Sequence, residues 1–213
     1  MEPDFIPARH EFWTELFFGW YIRWSIFFHF QALKFHWVED SSKLGLKSSY
    51  LIFSNHYSWW DALYIYYGNQ ILFKKKFHCM VLKDTLLKNK TLSKVGGFSI
   101  QPGTRSALKS LEYAGKLLND SSNLVLFFPQ GELESNHQSS ISFKSGSHRL
   151  IKDVPKNTQI LLMAGFLDYF SKKKPEITLY VKALEISSNI SHIEEIYHDF
   201  YTKARNIQGL REQ

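Results

Sequence analysis

The sequence predicts an α/β fold: a mixed, largely parallel central sheet flanked by helices, preceded by an aromatic-rich, amphipathic helical segment. Three observations carry this. Short apolar runs such as YLIFS and NLVLFF are bounded by turn residues and alternate with helical patterns, the order expected of βα units. The chain has 213 residues, enough for one such domain with a proper core. Apolar residues make up 44% and charged residues 22%, which excludes both a disordered chain and a polytopic membrane protein.

Residues 12–37, FWTELFFGWYIRWSIFFHFQALKFHW, hold 12 aromatics in 26 positions. Neither a basic start nor a small-residue cleavage site is seen, so no signal peptide is expected. Glu15, Arg23, His29 and Lys34 interrupt the run, and a spanning helix needs about 20 mostly apolar residues, so a span is not expected either. Trp13, Phe17, Trp20, Trp24 and Phe27 fall at i, i+4, i+7, i+11 and i+14, on one helical face, with Glu11, Glu15, Ser25 and His29 opposite. Trp and Tyr favour the bilayer interface. Residues 1–40 are therefore read as one or two amphipathic helices lying in a membrane surface. A helix packed on the protein's own core would show the same spacing.

After the polar break EDSSKLGLKSS, residues 41–213 read as the folded domain. Strands are predicted at 50–54, 78–82, 96–100, 123–128, 159–166 and 176–184. Helices are predicted from Ser58 to about Tyr67, over 84–94, over 106–119 with Leu108, Leu111 and Leu118 towards the core, and over 191–207, where Ser191 and Glu194 suit a capping box.

The single cysteine, Cys79, allows no internal disulfide and is expected to be a small buried residue, in keeping with a reducing cytoplasm. The nine histidines make no ligand spacing with it, so no metal is expected. The net charge of +6 is uneven. Nine basic residues and one acid lie between Lys74 and Lys109, which leaves the remainder at −2. Such a stretch suits an anionic membrane, a phosphorylated cofactor or nucleic acid. Nucleic acid is not expected, because no recognition motif is present and the aromatics cluster in a different segment.

The run SNHYSWWD, residues 54–61, follows the first strand. His56 and Asp61 are five apart and would not share a helical face, about 140° separating them. Ser58-Trp59-Trp60-Asp61 has the S-x-x-D form of a helix N-cap, so the chain turns at His56 and Asp61 can point back to the imidazole. The pair then suits a general base held by a carboxylate. A capping aspartate beside a loop histidine would read the same way. Three further stretches stand out: GGFSIQPGTR at 96–105, FFPQGELES at 127–135 and FKSG at 143–146.

Taken together, Asn55-His56 with Asp61, the block GGFSI, the block FPQG and the block FKSG resemble the motifs of the lysophospholipid (1-acylglycerol-3-phosphate) acyltransferase family, in the family's order, over roughly residues 45–185. The resemblance implies that 41–213 is an acyltransferase domain. It would move an acyl group from acyl-CoA or acyl carrier protein, as co-substrate and without a further cofactor, to a hydroxyl of a membrane lipid. His56 would be the general base and Asp61 its support. Asn55, Gly97, Phe98, Ser99, Ile100, Arg105, Pro129, Gln130, Gly131 and Glu132 would bind substrate. The expected location is the cytoplasmic face of the membrane, peripheral or monotopic.

Two departures bear on the acceptor. The family's second block commonly ends in an arginine where this chain has Pro102. Its third block commonly carries a glutamate where this chain has Gln130 and an arginine where it has Leu133. Those arginines are associated with the acceptor's phosphate. Their loss, with Glu132 and Glu134 added, disfavours an anionic acceptor by simple Coulomb reasoning. Arg105, three positions after Pro102, is the arginine that could stand in for the one lost there. A neutral or otherwise polar lipid acceptor is therefore expected, with lysophosphatidate acylation and a catalytically silent relative as alternatives.

Overall fold

The strand Tyr50–Ser54 (β2) is buried along its whole length, and the sheet is built outward from it. Its side chains alternate between two cores: Leu51 and Phe53 point into one, Tyr50 and Ile52 into the other. That is why YLIFS reads as an unbroken apolar run, as in parallel strands covered on both faces. The computed structural model describes residues 3–39, 44–45, 47–185 and 191–211.

The elements run α1 (Phe12–His29), β1 (Ala32–Trp37), β2, α2 (Asp61–Gly68) with a π-helical turn Asn69–Phe73, β3 (Lys76–Leu82), α3 (Lys83–Lys88), α4 (Thr91–Lys94) and β4 (Gly97–Ile100). There follow α5 (Arg105–Leu117), β5 (Asn123–Phe127), α6 (Ser145–Lys152), β6 (Gln159–Asp168), β7 (Glu176–Ala183) and α7 (Ile193–Gly209). The seven strands form one sheet in the order β1-β7-β6-β2-β5-β3-β4. Strands β6, β2, β5, β3 and β4 are mutually parallel; β7 is antiparallel to β6, and β1 runs parallel to β7. The mixed, largely parallel sheet flanked by helices is as expected. Helices α1 and α2 share one core with the sheet; α5, α6 and α7 share the other.

The N-terminal segment departs from expectation. The helix stops at His29, and residues 32–37 form an edge strand paired with β7, from Ala32–Glu176 to Trp37–Val181, instead of a second helix. The helix is apolar on two faces: Gly19, Ile22 and Ile26 are buried against the protein while the aromatic face points out. The polar side is engaged by the protein itself. Ser25 is buried, Glu11 pairs with Lys94 at 2.8 Å, and Glu15 meets His10, whose Nε2 lies 3.1 Å from His78 Nε2. Backbone bonds from Ile6 and Arg9 to Ser99 and Ser93 fasten the same segment to β4 and α4. No helix among the described residues is long and apolar enough to cross a membrane.

Smaller differences have local causes. The helix predicted over 84–94 is two short helices, parted at Asn89-Lys90. Leu111 and Leu118 are buried as expected, but Leu108 is exposed. Helix α6 was not foreseen in the polar stretch after the PQG turn. Helix α7 starts at Ile193, and the Glu194 carboxylate accepts the Phe143 amide at 2.8 Å across the fold. Cys79 is buried as expected, and burial pushes its thiol up to about 12.

Candidate active site

The chain leaves β2 at the end of the sheet where the other parallel strands also finish. Asn55 prolongs the ladder with its side chain: Nδ2 donates to Gly165 O at 2.9 Å, and Oδ1 accepts from Gly165 N at 2.8 Å. The next residue, His56, turns away from the sheet. Its backbone is gripped by the loop after β5: His56 N donates to Gln130 Oε1 at 2.6 Å, and Glu134 N donates to His56 O at 3.0 Å.

The side chain is held as firmly. His56 Nδ1 lies 2.8 Å from Asp61 Oδ2, and the same oxygen accepts the amides of Tyr57 (2.7 Å) and Ser58 (2.9 Å). Oδ1 accepts the Tyr64 hydroxyl at 2.6 Å. Asp61 is fully buried, and a carboxylate in that position persists only when its lone pairs are satisfied. Because Oδ2 already accepts two amides, Nδ1 is the ring nitrogen that donates to it, and Nε2 bears the lone pair. Ser58 Oγ accepts the Trp60 amide at 3.1 Å, so the S-x-x-D turn closes reciprocally, although the regular helix begins only at Asp61. Burial, with Asp61 nearby, raises the Tyr57 and Tyr64 hydroxyls above the ordinary tyrosine range, so both stay neutral.

Phe128 stacks on the imidazole, with ring centroids 4.0 Å apart and planes 13° from parallel. The His56 side chain is 24% exposed, so the ring is packed on one side yet open to an incoming molecule. A histidine with one nitrogen on a buried carboxylate and the other free is equipped to take and return a proton.

The third block is a scaffold for His56. Gly131 takes a left-handed φ of +67°, and its amide donates to Phe128 O at 3.1 Å, which closes the turn around buried Gln130. Gln130 Nε2 donates to Glu134 Oε2 at 2.5 Å. Glu132 is exposed and pairs with Lys144 of the FKSG block at 2.8 Å, while Lys144 N donates to Pro129 O at 2.9 Å.

The fold thus gathers Asn55, His56, Asp61, Pro129, Gln130, Gly131 and Glu132. It sets Gly97, Phe98, Ser99 and Ile100 apart, on β4, three strand spacings from β2, or roughly 14 Å. Phe98 lies in the core, Gly97 packs against the Leu92 carbonyl, and Ser99 binds the backbone of Ile6 and the Ser110 hydroxyl. Arg105 is exposed at the start of α5 on the same end of the sheet as His56. Sequence reasoning missed Tyr64, did not foresee that Phe128 stacks on His56, and read Glu134 only as a charge near the acceptor. The first had a signal, since position 64 is one helical turn past Asp61 and faces the same way.

A family model described as Acyltransferase matches residues 33–163, more than half of the chain. The chain belongs to the acyltransferase family. No curated protein matches it. For an acyltransferase, the matched span is informative: it runs from β1 into β6 and takes in His56, Asp61 and the loop that grips them.

Proposed function

We propose that this acyltransferase moves an acyl group from a thioester donor, acyl-CoA or acyl carrier protein, to a hydroxyl of a membrane lipid. The observation that carries the reading is the His56–Asp61 pair, with Nδ1 on the buried carboxylate and Nε2 on a partly exposed ring, without a hydrogen bond among the described residues. His56 Nε2 takes the acceptor's hydroxyl proton as that oxygen attacks the thioester carbonyl. The tetrahedral intermediate then collapses, the C–S bond breaks, and the proton passes to the departing thiolate. Asp61 stabilises the imidazolium formed in between. No covalent enzyme intermediate is required. Of the residues expected to bind substrate, Asn55 and Gln130 are better read as positioning residues, because their side chains are consumed by Gly165, His56 and Glu134.

The acceptor is proposed to be neutral or otherwise polar, because Pro102 and Leu133 stand where arginines would meet a phosphate. Membrane contact is proposed for α1 at the cytoplasmic face, on the strength of its exposed aromatic side chains.

The test is transfer of labelled acyl groups, from acyl-CoA and from acyl carrier protein, to a panel of lysophosphatidic acid, other lysolipids, glycolipids and amino-acid lipids. Label should enter one acceptor class, and His56→Ala should lower the rate by roughly 10²–10⁴-fold. Undiminished turnover by His56→Ala would refute the base assignment. Selective turnover of lysophosphatidic acid would refute the neutral acceptor.

A further inference from the structure

The sequence contains two lysine triplets, Lys74-Lys75-Lys76 and Lys172-Lys173-Lys174, 98 positions apart. The fold brings them to opposite ends of one helix. The first triplet follows the π-helical turn, at the end of the sheet where β3 begins. There Lys74, Lys75 and Lys76 line a hollow of about 350 Å³ together with Phe12, Glu15 and Leu16 of α1. On its other side, Lys74 and Lys75 line a second hollow of about 550 Å³ with Lys47, Ser121 and Ser122. The second triplet lies in the β6–β7 turn, at the end of the sheet where β6 finishes. Lys174 Nζ reaches Phe27 O of α1 at 3.5 Å, and Gln31 N donates to Pro175 O. An 18-residue helix is about 27 Å long, which sets the distance between the two clusters.

Between them lies the outer face of α1. Nine of its large apolar side chains, Phe12, Trp13 and Trp20 among them, are 43% to 70% exposed, far more than a soluble surface needs. Ile71 and Leu72 extend the apolar surface beside the first triplet. The acids nearby are already engaged. Glu15 meets His10, Asp120 accepts the Ser122 amide and hydroxyl, and Glu176 is held by Lys34 and Arg211. Lys74, Lys76, Lys172 and Lys173 make no ion pair among the described residues.

We propose that this face seats on an anionic phospholipid bilayer with α1 parallel to the surface, its aromatics at the headgroup level, Lys74 and Lys76 on headgroup phosphates at one end and Lys172, Lys173 and Lys174 on them at the other, while Lys75 stays with Ser121 and Tyr50. Aromatic side chains in the middle and ammonium groups at the margins are complementary to a bilayer interface, whose apolar boundary lies beneath a layer of negative charge. The face is one convex helix, not the groove that holds a single nucleic-acid strand. The inference rests on the membrane reading of α1 given above, and it adds the charge of the lipid and the orientation. His29 and Phe30, where α1 ends, pack on Trp60 at 5.0 Å, beside the turn that carries His56. A protein lying along α1 therefore has the His56 turn at one margin of the seated face, beside the Lys172–Lys174 end.

The test measures partitioning of the full chain onto vesicles of phosphatidylcholine alone and with one third phosphatidylglycerol, at about 0.1 M and about 0.5 M salt. The native chain should prefer the anionic vesicles, and the preference should fall with salt. Each surface lysine should contribute about fivefold. On that scale Lys74→Gln/Lys76→Gln should weaken anionic-vesicle binding by roughly 25-fold and Lys172→Gln/Lys173→Gln/Lys174→Gln by roughly 100-fold. Lys116→Gln/Lys203→Gln, on the opposite face of the sheet, should change it by less than about twofold. Equal binding to both vesicles, equal loss in the opposite-face variant, or tighter binding to a single-stranded oligonucleotide would overturn this inference alone. Failure of the native chain to bind either vesicle would overturn it together with the membrane reading.

Discussion

Gln130 Oε1 accepts the His56 amide at 2.6 Å, while its Nε2 donates to Glu134 at 2.5 Å, so one buried side chain links the His56 backbone to a carboxylate. Glutamine is required by that geometry, since one end must accept and the other must donate. A glutamate in its place, as the family's third block usually has, would set two carboxylates against each other. They would have to share a proton or separate.

Gln130→Glu is therefore expected to destabilise the fold by on the order of 2 kcal/mol and to lower kcat/KM about tenfold. Adding Glu134→Gln should restore both, since the exchanged pair again has one acceptor and one donor. Denaturant melts and kinetics on the four proteins of the cycle give the coupling. Simple additivity of the two changes would show that the contact does not hold His56.

Asp61 separates charge from packing. Asp61→Asn keeps an oxygen for the Tyr57 and Ser58 amides, and the Tyr64 hydroxyl can turn to accept from the new amide. It should melt close to the native chain yet lose about 10²-fold in kcat, with little change in donor KM. Asp61→Ala should also unfold more easily, because the buried Tyr64 hydroxyl and the part-buried Tyr57 and Ser58 amides lose their acceptor, at about 1–3 kcal/mol for a fully buried group. If Asp61→Asn kept its full rate, the carboxylate would be a cap and nothing more.

Phe128 tests whether orientation of the ring matters. Phe128→Leu keeps bulk but removes the parallel face against the imidazole. A kcat loss of about tenfold is expected, with the Asp61 contacts intact and donor KM unchanged. A loss confined to KM would instead make Phe128 a binding residue.

Much of this site was legible in the chain. The spacing from His56 to Asp61, read with the S-x-x-D turn, predicts the pair because every contact in it is local. The central strands were legible for a similar reason: β2 and β5 are buried on both faces and read as unbroken apolar runs. What was hidden depends on distant partners. Strand β1 is an edge with a half-buried pattern, and its partner β7 lies over a hundred residues later. Helix α6 has few apolar residues, and only Ser147 and Leu150 are buried. The role of Gln130 could not be read from its type, because it depends on a backbone amide 74 residues away. The same holds for the lysine triplets, which only the fold brings to the two ends of α1.

Cys79 offers a probe of the core it sits in. Burial raises its thiol to about 12, from an ordinary 9.0, so almost no thiolate exists in the native protein at pH 8. A thiol reagent at that pH should label the native chain only at the rate of global opening and should label it at once in denaturant. The same shift has a stability consequence with a definite sign. The native state holds the proton more tightly than the unfolded state, so this contribution is complete below about pH 9 and is lost as pH rises towards 12. The slope from this one group is about 1.4 kcal/mol per pH unit across that window. The buried hydroxyls of Tyr57, Tyr64 and Tyr197 are also raised and push in the same direction. Urea melts between pH 8 and pH 11 should show steadily falling stability, less steeply for Cys79→Ala. Rapid labelling of the folded chain at pH 8, or a flat profile, would place Cys79 outside the closed core between β3 and its neighbours.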